Sequence, residues 1–252
     1  MSDPETNSDT RRSNFPEPAR PDSKSSLLDA LNEILFKEYL VIPLGEYTIF
    51  TEGLSDIDYI HMANEVVKKD WGLDILKITK SDEDFEIDIK TPRNPDMPTR
   101  GGVGALGRLV NELSQWRHRN VLPNLAFVFD HDTAGKAARS KALGNWQDKG
   151  TCISLDPREH ATCNFDRKKD EVDIESLIDL KFQVDFFNSL SETSAWVHYK
   201  CGNIYQIFWE YPSKEELRNH VSKNATADDL REIARIVLRI REAWGVPIAL
   251  DS

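Results

Sequence analysis

Asp130 and Asp132 stand where the apolar run Leu125-Ala-Phe-Val-Phe129 stops and Thr133-Ala-Gly135-Lys136 begins. A short run of branched and aromatic residues followed by small ones reads as a buried strand running into a helix. Side chains two apart on a strand leave the same face, so both carboxylates emerge at its carboxyl end, where open α/β sheets place their ligands. Two carboxylates so close repel each other unless a proton or a divalent cation lies between them. An all-oxygen site of this kind suits Mg²⁺, with Mn²⁺ as its substitute.

A second acidic group follows another short strand, Tyr47-Thr-Ile-Phe-Thr51, which delivers Glu52-Gly53 and then Ser55-Asp56. Gly53 is read as the residue that lets the chain turn sharply, and Asp56 as a charge in the first turn of a helix carrying Ile57, Ile60, Ala63, Val66 and Val67 on one side. Taken alone, Asp56 steadies the positive end of that helix. Glu52, an acid at a strand end with glycine after it, belongs to a site and not to a core.

The elements that must bring these acids together can be read in chain order. Residues 1–24 hold almost nothing apolar and are expected to be a disordered tail with no apolar export segment. Residues 25–46 form a helix and linker, the helix capped by Ser25 or Ser26, with Asp29 in its first turn and Leu27, Leu28, Leu31, Ile34 and Leu35 at helical spacing. Leu73–Thr79 reads as the next strand, after a helix closed by Trp71-Gly72. Residues 80–100, with Phe85-Glu-Ile-Asp-Ile89 alternating, form a hairpin or an ordered loop. The glycines between 101 and 107 open a helix with Leu106, Leu109, Val110, Leu113 and Trp116 on one side; neither nucleotide-binding glycine fingerprint is met, so this is a flexible helix start, placed near the acids. Thr133 is expected to cap a helix to Leu143, and Thr151–Leu155 to be a fourth strand. This alternation predicts an α/β protein with a mainly parallel four-stranded sheet.

Residues 191–252 read as a C-terminal appendage. Trp196–Tyr211 alternates on both sides of Gly202-Asn203, which predicts a hairpin whose aromatic residues either pack on helices or stack on nucleobases. Ser213 with Glu216 forms a capping box, and Thr226 starts a long helix closed by Gly245 and Pro247.

The chain of 252 residues is 39% hydrophobic and 30% charged, with a net charge of −11 and a mean hydropathy of −0.52. No apolar run is long enough to span a membrane, and three cysteines without a paired spacing fit reduced thiols, so the cytoplasm is the expected compartment. Cys152, Cys163 and His160 are too few and too irregular for a zinc set. An acidic total is awkward for a nucleic-acid binder, yet local patches decide. Arg93, Arg100, Arg108, Arg117 and Arg119 form one candidate patch and Lys136, Arg139 and Lys141 another; solvated helix faces account for both equally well.

Glu52-Gly53 with Asp56, followed about eighty residues later by Asp130-His-Asp132-Thr-Ala-Gly135, resembles the TOPRIM domain shared by topoisomerases, primases and OLD (overcoming lysogenization defect) nucleases. The resemblance spans about Tyr47–Leu180. It implies a Rossmannoid sandwich in a catalytic domain of residues 47–190, with Glu52 as general acid/base or metal ligand and Asp130 and Asp132 holding Mg²⁺. Ala134 stands where topoisomerases often carry a third acid, which turns the likeness toward primases and OLD-like nucleases. In the latter, Glu171-Val-Asp173-Ile-Glu175 would supply a ligand for a second cation. Glu175 is the first choice and Asp173 the reserve, although an acidic start to an amphipathic helix reads nearly as well. Two cations about four ångströms apart would then activate a water and stabilise the leaving oxygen. Arg100, Lys136 or Arg139 would hold nucleic acid, and Lys223 would be the C-terminal lysine that assists cleavage.

The expected function is therefore a metal-dependent nuclease, an effector of prokaryotic anti-phage defence beside an ATPase partner, with self-assembly compatible with the likeness. The alternatives are a non-catalytic TOPRIM-fold binding subunit of a larger complex and, last, a haloacid-dehalogenase-like phosphatase, whose motif also begins Asp-x-Asp.

Overall fold

A computed structural model describes residues 24–40, 43–93, 102–116, 120, 122–146, 151–155, 171–200, 202–246 and 248. The expected tail before Lys24, together with Arg100, Arg117, Arg119, His160, Cys163 and Cys201, lies outside these residues.

Helix α1 (Lys24–Tyr39) precedes β1 (Tyr47–Phe50), α2 (Leu54–Trp71), β2 (Lys77–Lys80), β3 (Glu83–Lys90), α3 (Val103–Gln115), β4 (Asn124–Phe129), α4 (Thr133–Asn145) and β5 (Cys152–Ser154). After a 3-10 turn at Glu175–Leu177 come α5 (Leu180–Ser189), β6 (Ala195–Lys200), β7 (Asn203–Trp209), α6 (Ser213–Asn224) and α7 (Arg231–Ala243).

Five strands, not four, form the main sheet, in the order β2-β3-β1-β4-β5. β1 lies parallel to both β3 and β4, and β4 parallel to β5, while β2 runs antiparallel to β3 at the edge. The strand expected at Leu73–Thr79 is thus only the short outer arm of a hairpin, and the alternating 83–90 segment supplies the inner parallel strand. Charge explains the misreading: Lys77, Lys80, Asp84 and Glu86 face water on an edge, as edge strands require.

Alternation along the strands divides the core. Tyr47, Ile49, Ala126, Val128 and Ile153 face one layer with α2 and α7. Phe50, Leu125, Phe127, Phe129 and Cys152 face the other, with α1, α3 and α4. Phe50 and Phe127 are register partners on adjacent strands, their rings stacked 5.7 Å apart. The C-terminal segment packs on the sheet domain, one of the two arrangements open to it from the sequence. Ile207 and Trp209 of β7, Leu217 of α6 and Ile233, Val237 and Ile240 of α7 belong to the same core cluster as Ile49 and Ile60. The β6–β7 hairpin forms as expected, turning at Gly202 with φ +82. Its inner aromatic Trp209 is buried, whereas Trp196 and Tyr199 are exposed.

Helix starts differ from their expected caps. α1 begins at Lys24, which puts Ser25 and Ser26 inside its first turn. Ser213 is likewise inside α6, after Pro212, and its hydroxyl accepts from Ser194 N at 2.9 Å instead of closing a capping box. Thr226 N and Oγ1 both donate to Asp229, forming a turn that delays α7 until Arg231. Gly72 ends α2 in the left-handed conformation, as read from the sequence. No helix among the described residues is long and apolar enough to cross a membrane.

Arg241, buried on α7, donates through Nη1 to the carbonyls of Ile75 at 3.0 Å and Lys77 at 2.6 Å, tying the helix to the chain entering β2. Replacing it strands those acceptors. Arg241→Leu is expected to cost about 3 kcal/mol in urea unfolding, whereas Arg231→Leu on the surface leaves the midpoint nearly unchanged.

Candidate functional site

β1 is the central strand, so the residue just beyond its end can reach both neighbours. Thr51 N continues the pairing by donating to Lys90 O at 2.9 Å. The Glu52 carbonyl then accepts from Gly102 N at 2.7 Å and from Thr91 Oγ1 at 3.0 Å. Its carboxylate Oε1 accepts from Asp130 N at 3.0 Å, across 78 residues of sequence. One acid therefore joins the ends of β1, β3 and β4 and the start of α3.

Asp56 is buried in the first turn of α2 and accepts from Gly53 N at 2.9 Å. The steadying role read from sequence is present, but the same side chain also lines a cavity. Gly53 itself is extended, with φ −126 and ψ 163, so it is not the sharp turn expected. An added Cβ there would sit 3.5 Å from Asp56 Oδ1, an ordinary contact.

Asp132, not Thr133, caps α4, its carboxylate accepting from Gly135 N. Gly135 is required by close approach: a Cβ would fall 2.2 Å from the Asp130 carbonyl oxygen and 3.1 Å from Asp132 Oδ1. The Asp-x-Asp-x-x-Gly spacing thus has a steric basis in addition to any chemical one.

The downstream acids also arrive here. Asp173 accepts from Ser176 N and Oγ and so shapes the 3-10 turn. The helix expected to begin with this acidic segment begins instead at Leu180, capped by Asp179. Glu175 is buried at 1% exposure, with Oε2 2.9 Å from Lys214 Nζ and Oε1 without a partner. Glu52, Asp56, Asp130, Glu175 and Lys214, with Gly53, Leu54, Ser55 and Gly102, line one cavity of about 400 Å³. Asp132 stands beside it.

Burial governs the electrostatics of these groups. The Glu52 carboxyl is pushed up to about 7 by loss of water, an effect that the Asp130 N–H opposes and the charges of Asp132 and Asp56 reinforce. Glu175 is pushed up to about 8 by burial and by Asp173, against Lys214. Asp56 and Asp130 are both raised. Burial raises both first; in Asp130 the neighbouring charges on Asp56, Glu52, Asp173 and Glu175 raise it further. Burial alone would lower the Lys214 ammonium, but Glu175, Asp173 and Asp56 outweigh it and hold the charge on.

The acids are neighbours, but no three His, Cys, Asp or Glu side chains among the described residues already surround a single point. Asp132, Glu52 and Asp56 are each turned toward a backbone N–H. As a donor set the group still suits a hard divalent cation: it offers only oxygens, and Glu175 Oε1 is a buried acceptor in need of a partner.

Among the described residues, the basic side chains expected at the site, Lys136, Arg139 and Lys223, do not line this cavity. Lys136 is exposed on α4, and Arg139 Nε donates to the Cys152 carbonyl at 3.1 Å, which fastens α4 to β5. Lys223 is exposed in the last turn of α6, nine residues beyond Lys214, about 13 Å along the helix. The cation in the cavity wall is Lys214. Its signal in the sequence was slight: a lysine in a first turn, where the helix dipole disfavours it, needs another reason to be there.

What the fold and cavity define is a class, an α/β sandwich with a carboxylate cluster at the carboxyl ends of its central parallel strands. Comparison of the chain with protein-family models, with curated proteins and with solved structures finds no match.

Two outcomes follow from this geometry. Gly135→Ala is expected to cost roughly 1–3 kcal/mol through overpacking, while Gly53→Ala retains the wild-type unfolding midpoint. Acids raised on folding bind protons more tightly when folded. Their stabilisation is therefore full below the ordinary value near 4.5 and is lost as pH climbs through about 7 and 8. In EDTA, Tm is expected to fall between pH 5 and pH 8, and less steeply in Glu175→Gln. The surface pairs that lower Asp74 and Asp84 act below this window.

Proposed function

We propose that this chain is a Mg²⁺-dependent nuclease of the TOPRIM type, cleaving phosphodiester bonds in DNA or RNA, with Mn²⁺ able to substitute. The observation that carries the reading is the convergence of Glu52, Asp56, Asp130 and Glu175, from three separate stretches of chain, on one cavity at the ends of β1 and β4. A structural cluster of acids gains nothing from being buried together without cations, because each desolvated charge raises the cost of the next.

In this reading Glu52, Asp130 and Asp132 hold one cation, and Glu175, with Asp56, a second. What bound Mg²⁺ supplies is a more acidic water and charge neutralisation on the phosphate. Before a cation binds, the Glu52 carboxyl sits near 7, so uptake of the cation would release a proton from it. Lys214 takes over the role expected of Lys223. Its ammonium is anchored by Glu175 and faces the cavity, where it can reach a phosphate oxygen. Leu54, exposed at the cavity wall, gives the substrate an apolar contact. Lys136, exposed on α4, is proposed to hold the strand beyond the cavity, while Arg139 is engaged with Cys152; Arg100, proposed from the sequence for the same task, lies outside the described residues. The setting, a cytoplasmic defence effector beside an ATPase, rests on the family resemblance.

The test is incubation of purified protein with plasmid and total tRNA, with Mg²⁺, Mn²⁺ or EDTA. Cleavage is expected with either cation and not with EDTA, lost in Asp130→Ala/Asp132→Ala, reduced at least a hundredfold in Lys214→Ala and unchanged in Lys223→Ala. Cleavage surviving the double substitution overturns the assignment. No cleavage by the wild type, with and without an added ATPase, leaves a non-catalytic binding subunit as the better description.

A further inference from the structure

The β6–β7 hairpin carries a feature that neither the core nor the cavity uses. Among the described residues, Trp196, Tyr199 and Tyr211 are 66%, 63% and 79% exposed, half of the six large apolar side chains that face water. Their positions are connected. Trp196 is the register partner of Phe208, and His198, two residues along β6 on the same face, meets the Phe208 ring edge-on at 5.1 Å. Glu210 N donates to Ser194 O at 2.8 Å, which carries the pairing one step past the strands and puts Trp196 and Tyr211 at the same end of the hairpin. Lys214 follows Tyr211 by three residues, in the first turn of α6, and lines the acidic cavity. An aromatic strip thus runs from beside the cavity's lysine toward the Gly202 turn, where Tyr199 stands.

Two properties of the strip decide what it fits. The indole N–H of Trp196 donates to Glu210 Oε1 at 2.9 Å, so the ring is held in place while most of its surface stays open, a platform that loses little freedom on binding. Neither β6 nor β7 contains an Asp or Glu, in a chain with 43 of them among 252 residues, and Glu210 just beyond is taken up by that indole. A polyanion that carries flat, apolar rings suits such a surface. Aromatic side chains stack on bases of any sequence, and no carboxylate on the strands repels the phosphates. Bases in a duplex are already stacked on one another, so the strip selects unpaired strands. We propose that the hairpin is a binding track for single-stranded nucleic acid, with bases stacked on Trp196 and Tyr211 and the backbone led to Lys214 and the cavity. The inference rests on the reading of the chain as a nuclease and deepens it, naming the substrate class as unpaired DNA or RNA.

The test is fluorescence anisotropy of a short labelled oligothymidine, and of a duplex of equal length, titrated with the full chain in EDTA at low ionic strength so that neither is cut. The single strand is expected to bind more tightly than the duplex. Trp196→Ala and Tyr211→Ala each weaken its binding about tenfold with an unchanged Tm, because both side chains are exposed. Trp196→Phe, which keeps a ring to stack on, restores most of the affinity. Trp71→Ala removes another exposed indole, at the end of α2 remote from Asp56, and leaves binding as it was. Wild-type affinity in both alanine variants, no preference over the duplex, or no binding of either probe overturns the inference. In each of these cases the Mg²⁺ cleavage assay on plasmid and tRNA decides the nuclease reading by itself. Self-association of the chain that Trp196→Ala abolishes, with oligothymidine affinity unchanged, assigns the strip to contact between copies and overturns the inference as well.

Discussion

Loss of water from a cluster of carboxylates, with their mutual repulsion added to it, is the constraint to which the rest of this molecule answers. Glu52, Asp56, Asp130 and Glu175 share a cavity of about 400 Å³, and burial and neighbouring charge raise the proton affinity of every one of them. Backbone N–H groups offset part of the cost. Gly53 N serves Asp56, Asp130 N serves Glu52, and Gly135 N serves Asp132. Each of those donors belongs to a helix start or a strand end, where amides are left over from regular pairing. Among the described residues, Lys214 supplies the full positive charge in the wall.

The scaffold makes this concentration of charge affordable by being apolar everywhere else. β1 and β4 bury every residue from Tyr47 to Phe50 and from Leu125 to Phe129, and helices cover both faces of the sheet. Strand ends are the places where a doubly covered sheet can present polar groups without opening its core. The C-terminal segment completes that arrangement. α7 closes the layer over α2, and α6 begins beside the acids, so that Lys214 reaches Glu175. A region that reads as an appendage thus supplies both core and site.

Where local chemistry determines structure, the sequence was readable. The apolar runs at 47–50 and 125–129, the helix closed by Gly72 and the hairpin at Gly202 all follow from short-range pattern. The β3 strand was harder to read because its exposed positions carry charge although it lies inside the sheet, between β2 and β1, and amphipathic alternation does not say which neighbour a strand will choose. Helix caps shifted by one to five residues because other partners competed for them: Ser213 went to the distant Ser194 N, while the neighbouring Asp132 displaced Thr133 and Asp229 held Thr226 in a turn. Glu52, Asp56 and Asp130 were visible as acids at strand or helix ends. Lys214 was not, since its partner Glu175 is separated from it by a hairpin and a helix, and nothing local joins them.

Motif and mechanism also separate in this structure. Gly135 in the Asp-x-Asp-x-x-Gly stretch is forced by the Asp130 carbonyl lying 2.2 Å from where a Cβ would stand, and Asp132 has a capping duty regardless of any cation. A strand-to-helix turn of this tightness needs such residues whatever the protein does, so the motif alone says more about the turn than about the reaction. Glu175 is different. Its burial, its unpartnered oxygen and its pairing with a half-buried lysine serve no turn, cap or sheet. An acid held in that way must bind a proton or a cation to be stable in the folded chain, so the cluster itself says more about what the cavity demands than the spacing of the two aspartates does.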